Sequence, residues 1–496
     1  MPIKRNAIFG LAAAAMLMAA PLAIDGAAQA QQYRGGKPVI GNSGGGGGGG
    51  SGGGGGFRGP GWGVVVPGII MAIPHLVPPP QDREIIIDEP RQPRRSPPQN
   101  TARRGPSGVP PVNETRLVPD EVVLELRNSV RPQQIDALQR RHRLSRIESQ
   151  VSQLSGTTLY RWRIPDRRSV AQVVRELETN NLVVSAQPNY LYTLQQDAQK
   201  PAGDPAQYEL AKLRLPEAHG FAQGEGVPVA VIDSGIDTEH DELKGSVTDY
   251  YNALSTPMAA HSHGTAIAAL IAGHGKLLGA APKAKILAIR AFDPKGGSAE
   301  GTTFGILKGI EWAAAKNARV INMSFAGPND PAIRRNLDAA YKKGIVLIAA
   351  AGNEGPTSAP LYPAAYPNVI AVTATDAEDK LFAQSNRGRH IAVAAPGDQL
   401  LVAIPDGYEV SSGTSYSAAG ISGIVALMLE RNDRLTPARV RAILQSTARD
   451  LGPKGRDPDF GAGLANAVGA LSANAVPVTA ASSGNLPVER VRTGAR

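Results

Sequence analysis

Cysteine is absent from this 496-residue chain, which excludes a disulfide framework, a thiol nucleophile, Cys-ligated zinc and a lipid-anchored Cys. Long apolar runs are missing as well. A membrane-spanning helix needs about 18 or more apolar residues. The run from Ala7 to Ala20 is stopped by Pro21 and Asp25, and Trp62 to Val77 is broken by Pro67, Gly68 and Pro74. No stable membrane span is therefore expected once an N-terminal leader is removed. No His-Glu-x-x-His accompanies His261, His263 and His274, so a helical zinc site is not expected. The Asp-Ser-Gly at 233 to 235 has no second Asp-Ser-Gly or Asp-Thr-Gly with which to form a paired-carboxylate centre. Charge of one sign is lacking where it would matter. Residues 1 to 204 carry 24 Lys and Arg against 16 Asp and Glu, residues 205 to 475 carry 25 against 26, and the last 21 carry 3 against 1. The net charge of +9 thus lies outside the largest folded region, and no nucleic-acid partner is expected.

What is present divides the chain into five parts. Lys4 and Arg5, the apolar run and the small residues of Ala28-Gln29-Ala30 form a secretory signal pattern over residues 1–30. The expectation is export to the periplasm or the extracellular space, with cleavage after Ala30. Residues 31–114 hold twelve glycines and one serine from Gly44 to Gly56, then thirteen prolines from Pro60 to Pro111. Such a stretch buries too little to offset its ordering entropy and reads as a disordered linker. Periodicity returns over 115–196. A strand at Glu121 to Leu126 is followed by a helix opened by Pro132 with Ile135 and Leu138 on one face. Strands at Ser145 to Val151 and Thr158 to Ile164 come next, then a helix capped by Ser169 and a strand at Val183 to Ala186. This βαββαβ order predicts a ferredoxin-like α+β unit. RNA-recognition modules share the order, but Leu159-Tyr160-Arg161-Trp162-Arg163 lacks their Gly-aromatic consensus. Residues 476–496 have no periodicity and read as a disordered tail.

Between 205 and 475, continuous apolar strands alternate with helices: Val229 to Ile232, Ala284 to Ile289, Val320 to Met323, Ile345 to Ala350 and Val369 to Val372. Runs without alternation indicate strands buried on both faces, hence an α/β domain with a doubly wound, mostly parallel sheet. Polar segments stand where strands end or helices begin, the edge that builds ligand sites in such sheets. Asp233 follows the first strand. His263 opens an apolar helix. Asn353 leaves the strand Ile345 to Ala350, and Ser415 begins a helix after Gly413. A serine at a helix N-terminus has unpaired N–H groups and a positive dipole end beside its Oγ, which suits a nucleophile whose reaction develops an oxyanion. The Asn353 amide offers a second donor.

These four segments, in the order Asp, His, Asn, Ser, resemble the subtilisin-like serine peptidases, or subtilases, over about residues 205 to 475. Ile321-Asn322-Met323-Ser324 resembles the family strand that flanks the substrate, Leu361-Tyr362-Pro363-Ala364 the stretch near the specificity pocket, and Gly461-Ala462-Gly463-Leu464 the turn into the last helix. The resemblance implies a serine endopeptidase with Ser415 as nucleophile, His263 as proton carrier and Asp233 orienting the imidazole. Asn353 and the Ser415 N–H then hold the oxyanion. Ser324, Phe325, Ala326, Gly327 and Gly352 are the implied substrate-binding residues. Phe325 and Ala326 stand where the family often has Leu and Gly, which implies a narrower channel and small or medium side chains at the scissile position. No cofactor is required for the chemistry, and no acidic loop rich enough to mark a calcium site stands out. The implied partners are protein or peptide substrates and the chain's own propeptide, the unit at 115–196, acting as folding aid and inhibitor until it cuts itself free between about Tyr192 and Pro205. A catalytically silent peptide-binding or surface protein of the same fold is the alternative, and the presence of all four catalytic groups argues against it.

Overall fold

The computed structural model describes residues 107–195, 207–295 and 298–474. The expected signal segment, the linker up to residue 106 and the tail lie outside the described residues. The first module runs through β1 (Leu117–Arg127), α1 (Pro132–Arg141), β2 (Ser145–Ser152), β3 (Thr157–Arg163), α2 (Val170–Glu178) and β4 (Val183–Leu194). Pro132 opens α1, and Ser169 caps α2 by accepting the Gln172 N–H. Val170, Val173, Val174 and Leu177 of α2 are buried against Tyr160, Trp162 and Ile164, joined by Val122, Leu124 and Leu126 from β1. The period-2 and period-3.6 patterns thus meet in one core. Strand order is β2-β3-β1-β4, with each neighbouring pair antiparallel. Residues 107–114 fold back on this module, where the Gly108 N–H donates to the Glu178 carboxylate at 2.6 Å.

The second part opens with α3 (Tyr208–Leu213), α4 (Leu215–Ala218), β5 (Pro228–Asp233), β6 (Val247–Asn252), α5 (Ser262–Ala272) and β7 (Lys285–Arg290). A hairpin of β8 (Phe292–Lys295) and β9 (Ser298–Thr302) leads into α6 (Thr303–Ala315), β10 (Val320–Met323), β11 (Phe325–Ala326) and α7 (Pro331–Lys342). Then come β12 (Val346–Ala350), β13 (Val369–Thr375), β14 (Ile391–Pro396), and an antiparallel pair, β15 (Leu400–Ile404) and β16 (Gly407–Ser411). Three helices close it: α8 (Thr414–Arg431), α9 (Pro437–Thr447) and α10 (Ala467–Asn474).

The central sheet has the order β14-β13-β12-β10-β5-β7-β6 and is parallel throughout. Along β5, Val229 and Val231 enter the core shared with α5 and α8, while Ala230 and Ile232 enter the core shared with α6 and α7. Both faces are therefore covered, as the unbroken apolar runs require. A doubly wound α/β domain is what the structure contains.

β4 is longer than its sequence suggests. The expected strand ends at Ala186, but pairing continues to Leu194, because the far half finds partners in the second part. Leu191 to Thr193 pair antiparallel with β9, and Thr193 and Leu194 with β11. Side chains of β4 also satisfy helix starts across this junction. Gln187 accepts from the Ala332 N–H at 2.9 Å in the first turn of α7, and Asn189 accepts from the Phe304 N–H at 3.2 Å in the first turn of α6. These are donors that a helix cannot satisfy by itself. Gln187 Nε2 in turn donates to the α7 cap Asp330 at 2.5 Å, and burial holds the Asp330 carboxyl above its usual range. Glu311 on α6 gathers three donors from the turn after β2, the Ser152 hydroxyl and the Gln153 and Leu154 N–H groups.

Candidate active site

Strands β12, β10 and β5 are neighbours, and the residues just past their carboxyl ends line one crevice, the place where open parallel sheets build sites. β5 ends on Asp233, β10 runs into Ser324, and β12 runs into Gly352 and Asn353. Helices α5 and α8 lie on one face and bring in His263 and Ser415, each the second residue of its helix. Asp233 and His263 are joined by a hydrogen bond, Ser415 meets Ser324 and Asn353 meets Thr414, while among the described residues no hydrogen bond joins Ser415 to His263.

An ionised carboxylate only accepts, so His263 Nδ1 carries the proton that spans the 2.7 Å to Asp233 Oδ1. Both side chains are fully buried. The same oxygen accepts the Ser234 N–H at 2.7 Å, and the Ser234 hydroxyl stands 3.1 Å from it and 3.0 Å from His261 Nδ1. Burial pushes the His261 imidazole below its usual range. Kept neutral, its Nδ1 accepts the His263 N–H at 3.3 Å and caps α5. His261, just ahead of α5, is therefore part of the frame that aims His263. His263 Nε2 and Asp233 Oδ2 are buried with no hydrogen-bond partner among the described residues.

Ser415 Oγ lies 2.5 Å from the carbonyl oxygen of Gln195 and 3.1 Å from that of Ser324. Its single proton goes to the nearer oxygen, so in this structure the hydroxyl faces the end of β4. Ser324 also donates its own hydroxyl to the Ser415 carbonyl at 3.1 Å and accepts from Asn322 Nδ2 at 2.9 Å. This buried polar chain ties β10 to the first turn of α8. Asn353 Oδ1 accepts both the Thr414 N–H at 3.1 Å and the Thr414 hydroxyl at 2.8 Å. Those two bonds fix which way the amide points. Asn353 Nδ2 is left as a buried donor with no partner among the described residues.

Residues 324–327 lie at and around β11, beside the end of β4. Ala326 opposes Thr193, and the Gly327 N–H pairs with the Tyr362 carbonyl at 2.9 Å. Phe325 pairs through its backbone with Leu194, while its ring is fully buried, 5.0 Å from the Phe292 ring and 5.9 Å edge-on from that of Tyr192. Gly327 must lack a side chain, since a Cβ there would stand 2.3 Å from the Tyr192 ring. Gly352 has φ +114° and would press a Cβ to 2.7 Å from Leu361, a conformation and a space that favour glycine.

Four contributors were not legible as such: Ser234, His261, Thr414 and Gln195. Ser234 and Thr414 sit beside the motif residues, so their proximity was visible while their bonding was not. Gln195 has no local signal at all. Among the described residues no group of three or more His, Asp or Glu side chains is placed to hold a metal ion, and no helix is long and apolar enough to cross a membrane.

A family model described as the Subtilase family matches residues 224–463. Thermitase from Thermoactinomyces vulgaris is 36% identical over 251 residues, covering 49% of this chain and 88% of its own length. A subtilisin from Bacillus pumilus is 38% identical over 257 residues, 49% of this chain and 92% of that protein. Among solved structures, fervidolysin from Fervidobacterium pennivorans, a keratinolytic enzyme related to subtilisin, superposes with a TM-score of 0.64 at 24% identity, covering 73% of this chain and 62% of that one. That last likeness speaks for the fold.

Proposed function

The chain belongs to the subtilase family and is a serine endopeptidase, and from that premise we propose that Asp233, His263 and Ser415 form its catalytic triad and that it is made as a secreted zymogen. The observation that carries the reading is the buried 2.7 Å bond between Asp233 and His263, set beside a serine whose Oγ already meets a peptide carbonyl. Ser415 Oγ attacks the scissile carbonyl carbon, and His263 Nε2 takes its proton and returns it to the leaving nitrogen. Asp233 keeps Nδ1 protonated, which leaves Nε2 as the base, and stabilises the imidazolium that forms. The acyl-enzyme is then hydrolysed by water activated in the same way. Asn353 Nδ2 and the Ser415 N–H hold the oxyanion.

Residues 115–196 act as a ferredoxin-like propeptide, a reading supported by the strand order β2-β3-β1-β4 and by the run of β4 into the cleft. While the strand stays there it excludes other substrates. The Ala28-Gln29-Ala30 pattern supports export. The peptidase domain spans about 205 to 475, and its partners are protein substrates and this propeptide.

The oxyanion role is tested by Asn353→Leu. Turnover should fall by about 10²–10³, roughly 3 kcal/mol of transition-state stabilisation, a magnitude carried over from subtilisin, with KM little changed. Thr414→Val, which removes one of the two bonds that orient the amide, should lose less. Initial rates on a chromogenic peptide check both. A loss of less than threefold in the Leu variant would remove Asn353 from the mechanism.

A further inference from the structure

We propose that the chain cuts itself between Gln195 and Gln196, and that the pocket beside Asn353 selects an uncharged amide side chain on the acyl side of the scissile bond. The proposal rests on the serine endopeptidase reading above and adds the bond and the substrate class. Maturation elsewhere between Tyr192 and Pro205 would satisfy the family resemblance equally well; the geometry at Gln195 selects one position.

Three sets of contacts converge there. The backbone of β4 is held in register by pairing of Thr193 with Ala326 and Leu194 with Phe325, and the Gln195 N–H donates to the Ser324 carbonyl at 3.2 Å. Within this strand it is the Gln195 carbonyl that reaches Ser415 Oγ, at 2.5 Å. Three residues upstream, Tyr192 is buried, with its hydroxyl donating to the Pro328 carbonyl at 3.2 Å and its ring lying over Gly327. Tyr192 anchors the strand so that residue 195 arrives at the nucleophile.

The Gln195 side chain is 6% exposed, and both ends of its amide are used. Oε1 accepts the Asn353 N–H at 2.8 Å, and Nε2 donates to the Thr193 carbonyl and hydroxyl, each at 3.3 Å. A glutamate would keep the first bond but turn a second carboxylate oxygen toward the Thr193 carbonyl, where two acceptors repel. A leucine would leave the Asn353 N–H without an acceptor. A lysine would bring donors to a donor. An uncharged amide matches the Asn353 N–H on the enzyme side and Thr193 on its own strand.

The step balances as an ordinary acyl transfer. The Ser415 Oγ–C bond to Gln195 forms, the Gln195–Gln196 C–N bond breaks, and the Oγ proton passes through His263 Nε2 to the Gln196 nitrogen. Water then cleaves the ester, leaving a carboxylate on Gln195 and restoring the hydroxyl.

The test is mass spectrometry of both products when full-length chain matures, with peptide kinetics on the mature enzyme. The released N-terminal fragment should end on Gln195. Reading its C-terminus avoids confusion from later trimming, or cyclisation, of a new N-terminal glutamine. Acetyl-Tyr-Thr-Leu-Gln-p-nitroanilide should be cleaved at least 10-fold faster, by kcat/KM, than its Glu analogue and at least fivefold faster than its Leu analogue. Gln195→Glu should slow self-cleavage at least 10-fold in a chain that still folds, since the position ends a strand. A chain that matures and digests casein but releases a fragment ending elsewhere overturns the assigned bond and leaves the peptidase reading intact. Equal rates on the Gln and Leu, or Gln and Glu, peptides overturn the amide pocket. A folded chain that neither matures nor digests casein overturns the proposal together with the reading beneath it.

Discussion

Replacing Ser415 by alanine should lower casein hydrolysis by about 10⁶, a magnitude carried over from subtilisin, while the chain folds and keeps its first module covalently attached. The hydroxyl is the only group removed. The Gln195 carbonyl loses the donor of the single hydroxyl proton, a change worth about 1 kcal/mol in stability. Asn353 and the peptide-binding strand β11 survive, so residual catalysis above the uncatalysed rate should persist. The measurement is the hydrolysis rate, with intact mass on the same preparation. A catalytically silent fold predicts instead that wild type and variant have the same rate and the same mass.

Asp233→Asn should cost about 10⁴ in kcat with KM nearly unchanged, a magnitude carried over from other serine-peptidase triads. Oδ1 accepts both the Ser234 N–H and the His263 Nδ1–H, so an amide oxygen in its place keeps both bonds and the fold. What is lost is the negative charge that stabilises the imidazolium, and with both side chains fully buried no solvent replaces it. Steady-state kinetics on one chromogenic peptide separate the terms. A tenfold loss or less, or a loss confined to KM, would mean that Asp233 serves structure alone.

The central strands were legible because burial on both faces leaves an unbroken apolar run, as in Val229 to Ile232. Asp233, His263, Asn353 and Ser415 were legible for a related reason: each polar residue interrupts such a run at a strand end or helix start. The far half of β4 was not. Gln187 and Pro188 pair with Val123 and Val122 of β1, and beyond them Leu191 and Leu194 pair with Thr302 and Phe325, partners more than 100 residues later that no local pattern announces. The direction of the Phe325 ring is set the same way, by packing on Phe292 and Tyr192. His261 belongs to this class too, because its capping role needs Ser234, 27 residues earlier, to stand beside it. Local pattern encodes which faces are buried; long-range pairing decides what meets at the site.

The role of Ser415 as nucleophile is tested most directly by treating mature enzyme with a phosphonofluoridate and mapping the adduct by peptide mass spectrometry. One adduct on the peptide containing Ser415, forming in step with loss of activity and absent from Ser415→Ala, is the predicted result. Activity that persists at full reagent, or an adduct on another serine while activity is lost, would contradict it.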